Sequence, residues 1–228
     1  MGALNGTSPA RHPPLERIPD RVFTAQLRVI FTKLLTPLGN LLVRLGVTPN
    51  AVTIFGTLGM VTGAVVFLSQ GWWLTGTLVC WAFVMLDAVD GIVARIGGRT
   101  SAFGGVLDSS CDRIADAAVF GSIGWYYALH GQRWMLLAAL LCLVLGAVTS
   151  YIRARAEGAG FTADVGIAER TERLIIALVG TGLSGGPFDL PYIQAVALWL
   201  LVAASTITVF QRFATVYAQS KAQQVTDA

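Results

Sequence analysis

The apolar positions of this chain gather into six runs, not into the alternating or one-sided patterns of a fold that sits in water. The runs cover Ala51–Ser69, Trp72–Arg95, Gly104–Leu129, Trp134–Arg155, Glu169–Leu183 and Pro191–Phe213. A helix that crosses a bilayer needs about 20 apolar residues. Every run but the short fifth approaches or exceeds that length. Gln70-Gly71, His130-Gly131 and Gly185-Gly186-Pro187 separate runs with residues that favour turns. The pattern predicts an all-α, polytopic membrane protein with six transmembrane helices. Upstream, Val22, Phe23, Leu27, Ile30, Phe31 and Leu34 recur at helical spacing, while Arg28 and Lys33 fall between them. That mixture predicts an N-terminal amphipathic helix on the membrane interface. The plainer alternative is a basic lead-in that only sets topology. The expected division is a flexible N-terminus over 1–20, a juxtamembrane helix over 21–45, a six-helix domain over 46–215 and a tail over 216–228.

Composition agrees with a bilayer setting. The 228 residues are 54% hydrophobic and 13% charged, against about 25% charged in soluble domains. Residues 1–20 are polar and proline-rich with no apolar stretch, so an ordinary signal peptide is not expected. Cys80, Cys111 and Cys142 lie in apolar runs without CxxC spacing, which argues for packed thiols and against disulfides. The basic residues are distributed unevenly. Arg11, Arg17, Arg21, Arg28, Lys33 and Arg44 precede the first run, and Arg95 and Arg99 join the second to the third. Arg153, Arg155, Arg170 and Arg173 flank the fourth connection, and Arg212 and Lys221 follow the sixth run. The remaining connections hold only Arg133. Positive-inside counting therefore predicts both termini in the cytoplasm, with Asp87–Asp112 and the arginines on that same side.

Four acids interrupt two of the apolar runs. The first group reads Asp87-Ala-Val-Asp90-Gly91-Ile-Val-Ala94-Arg95, and the second reads Gly104-Gly-Val-Leu-Asp108-Ser-Ser-Cys-Asp112. A charge inside a bilayer costs roughly 2.5–3.5 kcal/mol on insertion scales, so each acid needs a chemical reason. On a helix Asp87, Asp90, Gly91 and Ala94 share one face, and Asp108 and Asp112 stand one turn apart. The short connection Ile96–Phe103 predicts that the two helices are adjacent and antiparallel, with the acids converging. Carboxylate oxygens suit Mg²⁺ or Mn²⁺, and four acids suffice for two ions. Gly91, Gly104 and Gly105 leave room beside the acids for a phosphate or a base. Helix packing by small residues is the competing explanation, and it is favoured for Gly59-Met-Val-Thr-Gly63. Asp116 extends the acidic stripe by a turn, with Arg113 beside it, and their roles stay open.

This stretch resembles, at every position, the D-x2-D-G-x2-A-R-x8-G-x3-D-x3-D motif of the CDP-alcohol phosphotransferase family. The resemblance implies six membrane helices and a homodimer. It implies a reaction in which a hydroxyl attacks the lipid-bearing phosphorus of CDP-diacylglycerol and CMP leaves. Asp87, Asp90, Asp108 and Asp112 would hold two Mg²⁺ ions, with Mn²⁺ an alternative, and Asp112 would also take the proton. Gly91, Arg95 and Ser101 would meet the CDP group. Thr48-Pro49-Asn50-Ala51-Val52-Thr53 resembles the family's P-N-x2-T element, so Asn50, Ala51, Val52 and Thr53 would help bind the nucleotide. On its own, Asn50 reads equally well as a helix N-cap.

The acceptor is written in a second cluster. Ser150-Tyr151-Ile-Arg153-Ala-Arg155-Ala-Glu157 closes the fourth run and Glu169-Arg170-Thr-Glu172-Arg173 opens the fifth. Guanidinium forks bind phosphate oxygens in pairs, so Arg153, Arg155, Arg170 and Arg173 favour an acceptor that carries a phosphate. The alternative is a topology signal with Glu157, Glu169 and Glu172 as counter-ions. The two arginine segments resemble bacterial members of the family that use inositol 1-phosphate. Glycerol 3-phosphate is the runner-up acceptor. Outside enzymes, a cation transporter is the competing class, and it predicts acids at mid-membrane. No feature points to nucleic acid.

Overall fold

The computed structural model describes residues 35–97 and 101–227, with the side chains at 87, 88, 90, 191, 226 and 227 excepted. The expected flexible start over 1–20, the interfacial helix up to residue 34, and Arg99 lie outside the described residues. Six long helices follow one another: α1 (Pro49–Phe67), α2 (Trp73–Ile96), α3 (Ala102–Leu129), α4 (Arg133–Gly158), α5 (Arg170–Leu183) and α6 (Pro191–Asp227). Residues 35–44 are helical as well, and the described residues contain no strand. The sixth helix runs on past Phe213, through the Ala- and Gln-rich segment where the tail was expected. Those residues favour helix, and Gln219 is tied to Thr162 N–H and C=O.

The starts of the helices follow from local chemistry. Thr48 caps α1, its hydroxyl accepting from Ala51 N–H, and Pro49 takes the first helical position. Ser101 caps α3, accepting from Gly104 N–H at 3.0 Å. Glu169 and Glu172 form a reciprocal capping box on α5. A short 3₁₀ turn, Leu68–Gln70, and Gly71 at φ +78° reverse the chain between α1 and α2.

The helices close into a ring. α1 packs on α2 and α3, α3 on α4, α4 on α6, α6 on α5, and α5 returns to α2. Met60, Cys80, Val119, Phe120, Leu178 and Leu198 belong to the buried centre. Among the described residues α2 packs chiefly on α1, α3 packs about equally on α1 and α4, and α2 and α3 hardly touch one another. The two helices run antiparallel on either side of a gap. The glycines facing the gap have no side chains with which to bridge it, and α1 fills its floor.

The ring has two distinct ends. One gathers the starts of α1, α3 and α5 with the ends of α2, α4 and α6. There Gly39 lies beside Ile92, Asn50 near Gly104, and Arg170 against Asp112. At the other end Trp73 packs on Tyr126 and Tyr127, and Gly182 lies on Thr77. That end also displays Trp72, Trp125, Trp134 and Tyr192 on its surface, the aromatic belt of a membrane–water boundary. Between the ends the outer face is apolar, with Phe55, Leu58, Val65, Leu78, Val144 and Leu200 all exposed. So large an exposed apolar surface matches lipid, not water. Four helices are long and apolar enough to cross a membrane: Pro49–Gln70, Trp73–Ile96, Arg133–Gly158 and Tyr192–Val225. The other two depart from that pattern for visible reasons. α3 carries Asp108, Asp112, Arg113 and Asp116, and α5 has only 14 residues.

Candidate active site

The candidate site occupies the end where α1, α3 and α5 begin. Because Thr48 is the cap of α1, Asn50 falls inside the first turn and its amide is not spent on capping. That removes the capping alternative for Asn50. Its Oδ1 lies 3.4 Å from where a Cβ on Gly104 would stand, so the two helix starts touch. Ser101 Oγ lies 3.1 Å from that same point, and Asn50, Ser101 and Gly104 form one corner. Thr53 is buried and donates its hydroxyl to Pro49 C=O at 3.1 Å; Val52 is buried and Ala51 exposed.

Across the gap, α2 carries Asp87 and Asp90 on its last turns, their side chains outside the described residues. Among the described residues no atom of a neighbouring element lies within 4 Å of a Cβ placed on Gly91, and the same holds for Gly105 on α3. Arg95 is exposed and its Nε donates to Gly91 C=O at 3.0 Å, which turns the far end of the fork outward. Below, a small cavity is lined by Gly56 and Met60 of α1, Phe83 and Val84 of α2, Ala115 of α3 and Arg170 of α5. The space between α2 and α3 is therefore a cleft with α1 as its floor.

On α3 the acids form a stripe, Asp108, Asp112 and Asp116, one turn apart. Asp112 meets Arg170 Nη1 at 2.6 Å and Arg113 Nη2 at 3.9 Å. Asp116 is 5% exposed and faces three guanidinium groups: Arg173 at 3.1 Å, Arg170 at 3.5 Å and Arg113 at 3.6 Å. Arg173 also donates to Thr149 Oγ1, and Arg113 donates to Ser150 Oγ, both on α4. Arg170 occupies the first position of α5, where the helix dipole disfavours a cation by roughly 0.3–1 kcal/mol. Two carboxylates opposite it offset that cost.

The expected acceptor arginines are therefore not equivalent. Arg170 joins the acids directly. Arg173 is 2% exposed and lies behind Asp116, against Gly146 of α4, so it presents no surface to a solute. Arg153 pairs with Glu157 at 2.9 Å and Asp164 at 3.1 Å on the rim, and Arg155 is exposed in the last turn of α4. Glu157 pairs as the expected counter-ion, while Glu169 and Glu172 form the capping box of α5. The sequence pattern also missed two participants. Thr149 is a buried hydroxyl that reads as ordinary helix filling. Arg212 reads as a topology signal, yet it is buried and donates to Thr149 C=O and Val165 C=O, pinning the α4–α5 connection to α6.

The donor set fits a hard divalent cation. Asp108 and Asp112 stand one turn apart on α3 and offer only oxygen, at the end of the ring where α2 carries Asp87 and Asp90. No cluster of three acids, His or Cys forms among the described residues.

Known proteins share this arrangement. A family model described as CDP-alcohol phosphatidyltransferase matches residues 46–216. A phosphatidylinositol phosphate synthase of Mycobacterium marinum is 47% identical over 192 residues, 83% of this chain and 82% of that protein. A Streptomyces avermitilis protein of the same name is 44% identical over 199 residues, 85% and 82% of the two chains. The crystal structure of the Mycobacterium tuberculosis phosphatidylinositol phosphate synthase with CDP-DAG bound superposes with a TM-score of 0.78 at 46% identity. It covers 81% of this chain and 94% of that one. The same enzyme in complex with manganese and citrate gives 0.76 at 46% identity, over 80% and 88%. Motif, helix ring, acidic cleft and a model match across three-quarters of the residues agree: the chain belongs to the CDP-alcohol phosphatidyltransferase family.

Proposed function

We propose that this chain transfers the phosphatidyl group of CDP-diacylglycerol to inositol 1-phosphate, giving phosphatidylinositol phosphate and CMP. The observation that carries the reading is the 2.6 Å contact between Asp112 and Arg170. It joins the acids of the donor motif to an arginine from the segment that suits a phosphorylated acceptor. The relatives named above support the choice of inositol phosphate over glycerol 3-phosphate.

In this reading Asn50–Thr53, Gly91, Arg95 and Ser101 bind the CDP group in the cleft, with Gly91 and Gly105 leaving space for it. Asp87, Asp90, Asp108 and Asp112 hold two divalent cations, Mg²⁺ or Mn²⁺. When bound, these supply neutralising charge for the diphosphate and for the departing CMP. Asp112 accepts the proton of the attacking inositol hydroxyl, within about 3 Å or through one water. As that hydroxyl oxygen bonds to the lipid-bearing phosphorus, the bond from this phosphorus to the CMP oxygen breaks. Arg153, Arg155 and Arg170 meet the acceptor's own phosphate, and Arg173 acts from behind them. We place six helices across the cell membrane, the amphipathic segment over 21–45 on its inner leaflet, and the site and both termini in the cytoplasm. The enzyme works as a homodimer.

The test is CMP release from CDP-diacylglycerol by purified protein in detergent with Mg²⁺. Inositol 1-phosphate, free inositol, glycerol 3-phosphate and serine are compared, with and without EDTA. Release with inositol 1-phosphate alone, abolished by EDTA and restored by Mg²⁺ or Mn²⁺, is the expected result. Preference for glycerol 3-phosphate would overturn the acceptor. No release with any acceptor, together with cation flux in liposomes, would overturn the enzyme.

A further inference from the structure

We infer that Asp116 is a positioning residue for the acceptor site: it holds Arg170 in place, and Arg113 and Arg173 exist to hold Asp116. The inference rests on the proposed use of a phosphorylated acceptor. It begins from the inequality of the two acids at the foot of the stripe. Asp112 sits at the edge of the cleft, whereas Asp116 is buried one turn deeper. Asp116 Oδ2 accepts a hydrogen bond from Arg173 Nη2 and lies 3.6 Å from Arg113 Nη2, while its Oδ1 stands at ion-pair distance, 3.5 Å, from Arg170 Nε. Those last two arginines are themselves fixed from α4. Thr149 Oγ1 accepts from Arg173, Ser150 Oγ accepts from Arg113, and Gly146 leaves the room in which the Arg173 fork lies. A continuous polar line thus runs from α4 through Arg173 and Asp116 to Arg170, ending at Asp112.

The geometry of Arg170 gives the line its purpose. Its Nε faces Asp116 and its Nη1 faces Asp112. Drawn at Nε toward the charge of the deep acid, the fork leaves its outer nitrogens toward the cleft, for a carboxylate or a phosphate. Without Asp116, Arg113 and Arg170 would both turn to Asp112, the other aspartate they meet. Arg170 would then be repelled by its neighbours and drawn more firmly onto Asp112, the group proposed to take the proton. Asp116 thereby leaves Arg170 shared and exchangeable, and it does so without touching either substrate.

The experiment compares wild type with Asp116→Asn and Arg173→Lys. Steady-state KM is measured for inositol 1-phosphate and for CDP-diacylglycerol separately, together with melting in detergent. Asp116→Asn keeps the shape of the side chain and removes its charge. Arg173→Lys keeps a charge and removes the fork that joins Thr149 to Asp116, which tests the line if the first variant does not fold. Both should raise the acceptor KM by about tenfold or more, the scale of breaking a buried charge pair, and leave the donor KM within about twofold. Arg173→Lys with an unchanged acceptor KM, or an equal rise in both KM values, would overturn the inference. A merely structural carboxylate predicts that equal rise. If wild type turns over no phosphorylated acceptor, the function reading fails instead, and the panel above shows this before any variant is made.

Discussion

Replacing Gly91 by Ala separates two explanations for the small residues beside the acids, helix packing and room for a ligand. In the last turns of α2 the substitution adds one methyl group, and among the described residues no atom of a neighbouring element lies within 4 Å of it. Packing therefore neither loses nor gains, and the helix itself gains about 0.8–1 kcal/mol from the better former. Gly59 and Gly63 supply the contrast. A Cβ on Gly59 would lie 2.1 Å from the ring of Phe83, and one on Gly63 would lie 2.6 Å from Val79 Cγ1. Carbon atoms at rest stay roughly 3.5–4.0 Å apart, so both sites must shift, at a cost of about 1–3 kcal/mol for overpacking. The Phe83 ring has little freedom to give way, because it also packs edge-on against Phe55. Gly91→Ala should thus melt in detergent at or above the wild-type temperature, and Gly59→Ala below it. If the CDP group lies where the methyl group intrudes, kcat/KM for CDP-diacylglycerol should fall about a hundredfold, the scale of a 1 Å misplacement. A Gly91→Ala protein that melts as low as Gly59→Ala would make Gly91 a packing residue. One that melts normally and keeps its kcat/KM would remove the nucleotide from that face of α2.

Two further outcomes test the site from other directions. Asp112→Asn should abolish CMP release while CDP-diacylglycerol still binds; near wild-type turnover would remove Asp112 from proton transfer. Thr149→Val keeps the shape of a fully buried residue but takes the acceptor from Arg173 Nη1. An orphaned buried donor costs about 1–3 kcal/mol, so the melting temperature should fall, and an unchanged value would show that Arg173 finds another partner.

The helices were legible in the sequence because a bilayer demands long apolar runs, and Thr48-Pro49 marks the start of α1 without ambiguity once it is seen to be the cap. The donor side was proposed from the sequence for a different reason. Asp87, Asp90, Asp108 and Asp112 lie on two consecutive helices, so local spacing carries almost all of the information. What spacing does not carry is which helix touches which. The short α2–α3 connection makes the two helices neighbours but does not show that α1 lies against both. The same gap hid the inequality of the arginines. Arg170 and Arg173 are one turn apart and look alike in sequence, yet one reaches Asp112 and the other is buried against Thr149 and Asp116. Those contacts join residues 24 and 57 positions apart. Arg212 was hidden for the same reason, its partner Thr149 lying 63 positions away on α4.

The two helices least suited to a membrane by composition, α3 and α5, are the two that meet at Asp112 and Asp116. Neither tolerates a bilayer well alone, since α3 carries three acids and α5 opens with Arg170 and Arg173. Packed in the ring, each answers the other's charge: Arg113, Arg170 and Arg173 stand against Asp112 and Asp116. That local count leaves one positive charge in excess where α3 meets α5. Asp87, Asp90 and Asp108 leave an excess of negative charge on the α2–α3 side. A site polarised in this way attracts cations to one wall and an anion to the other, with Asp112 on the line between them. The burial that makes these charges costly also makes them effective, because a low-dielectric surround strengthens every interaction they form. The charges that spoil the apolar pattern of α3 and α5 thus gather at one end of the ring, around Asp112 and Asp116.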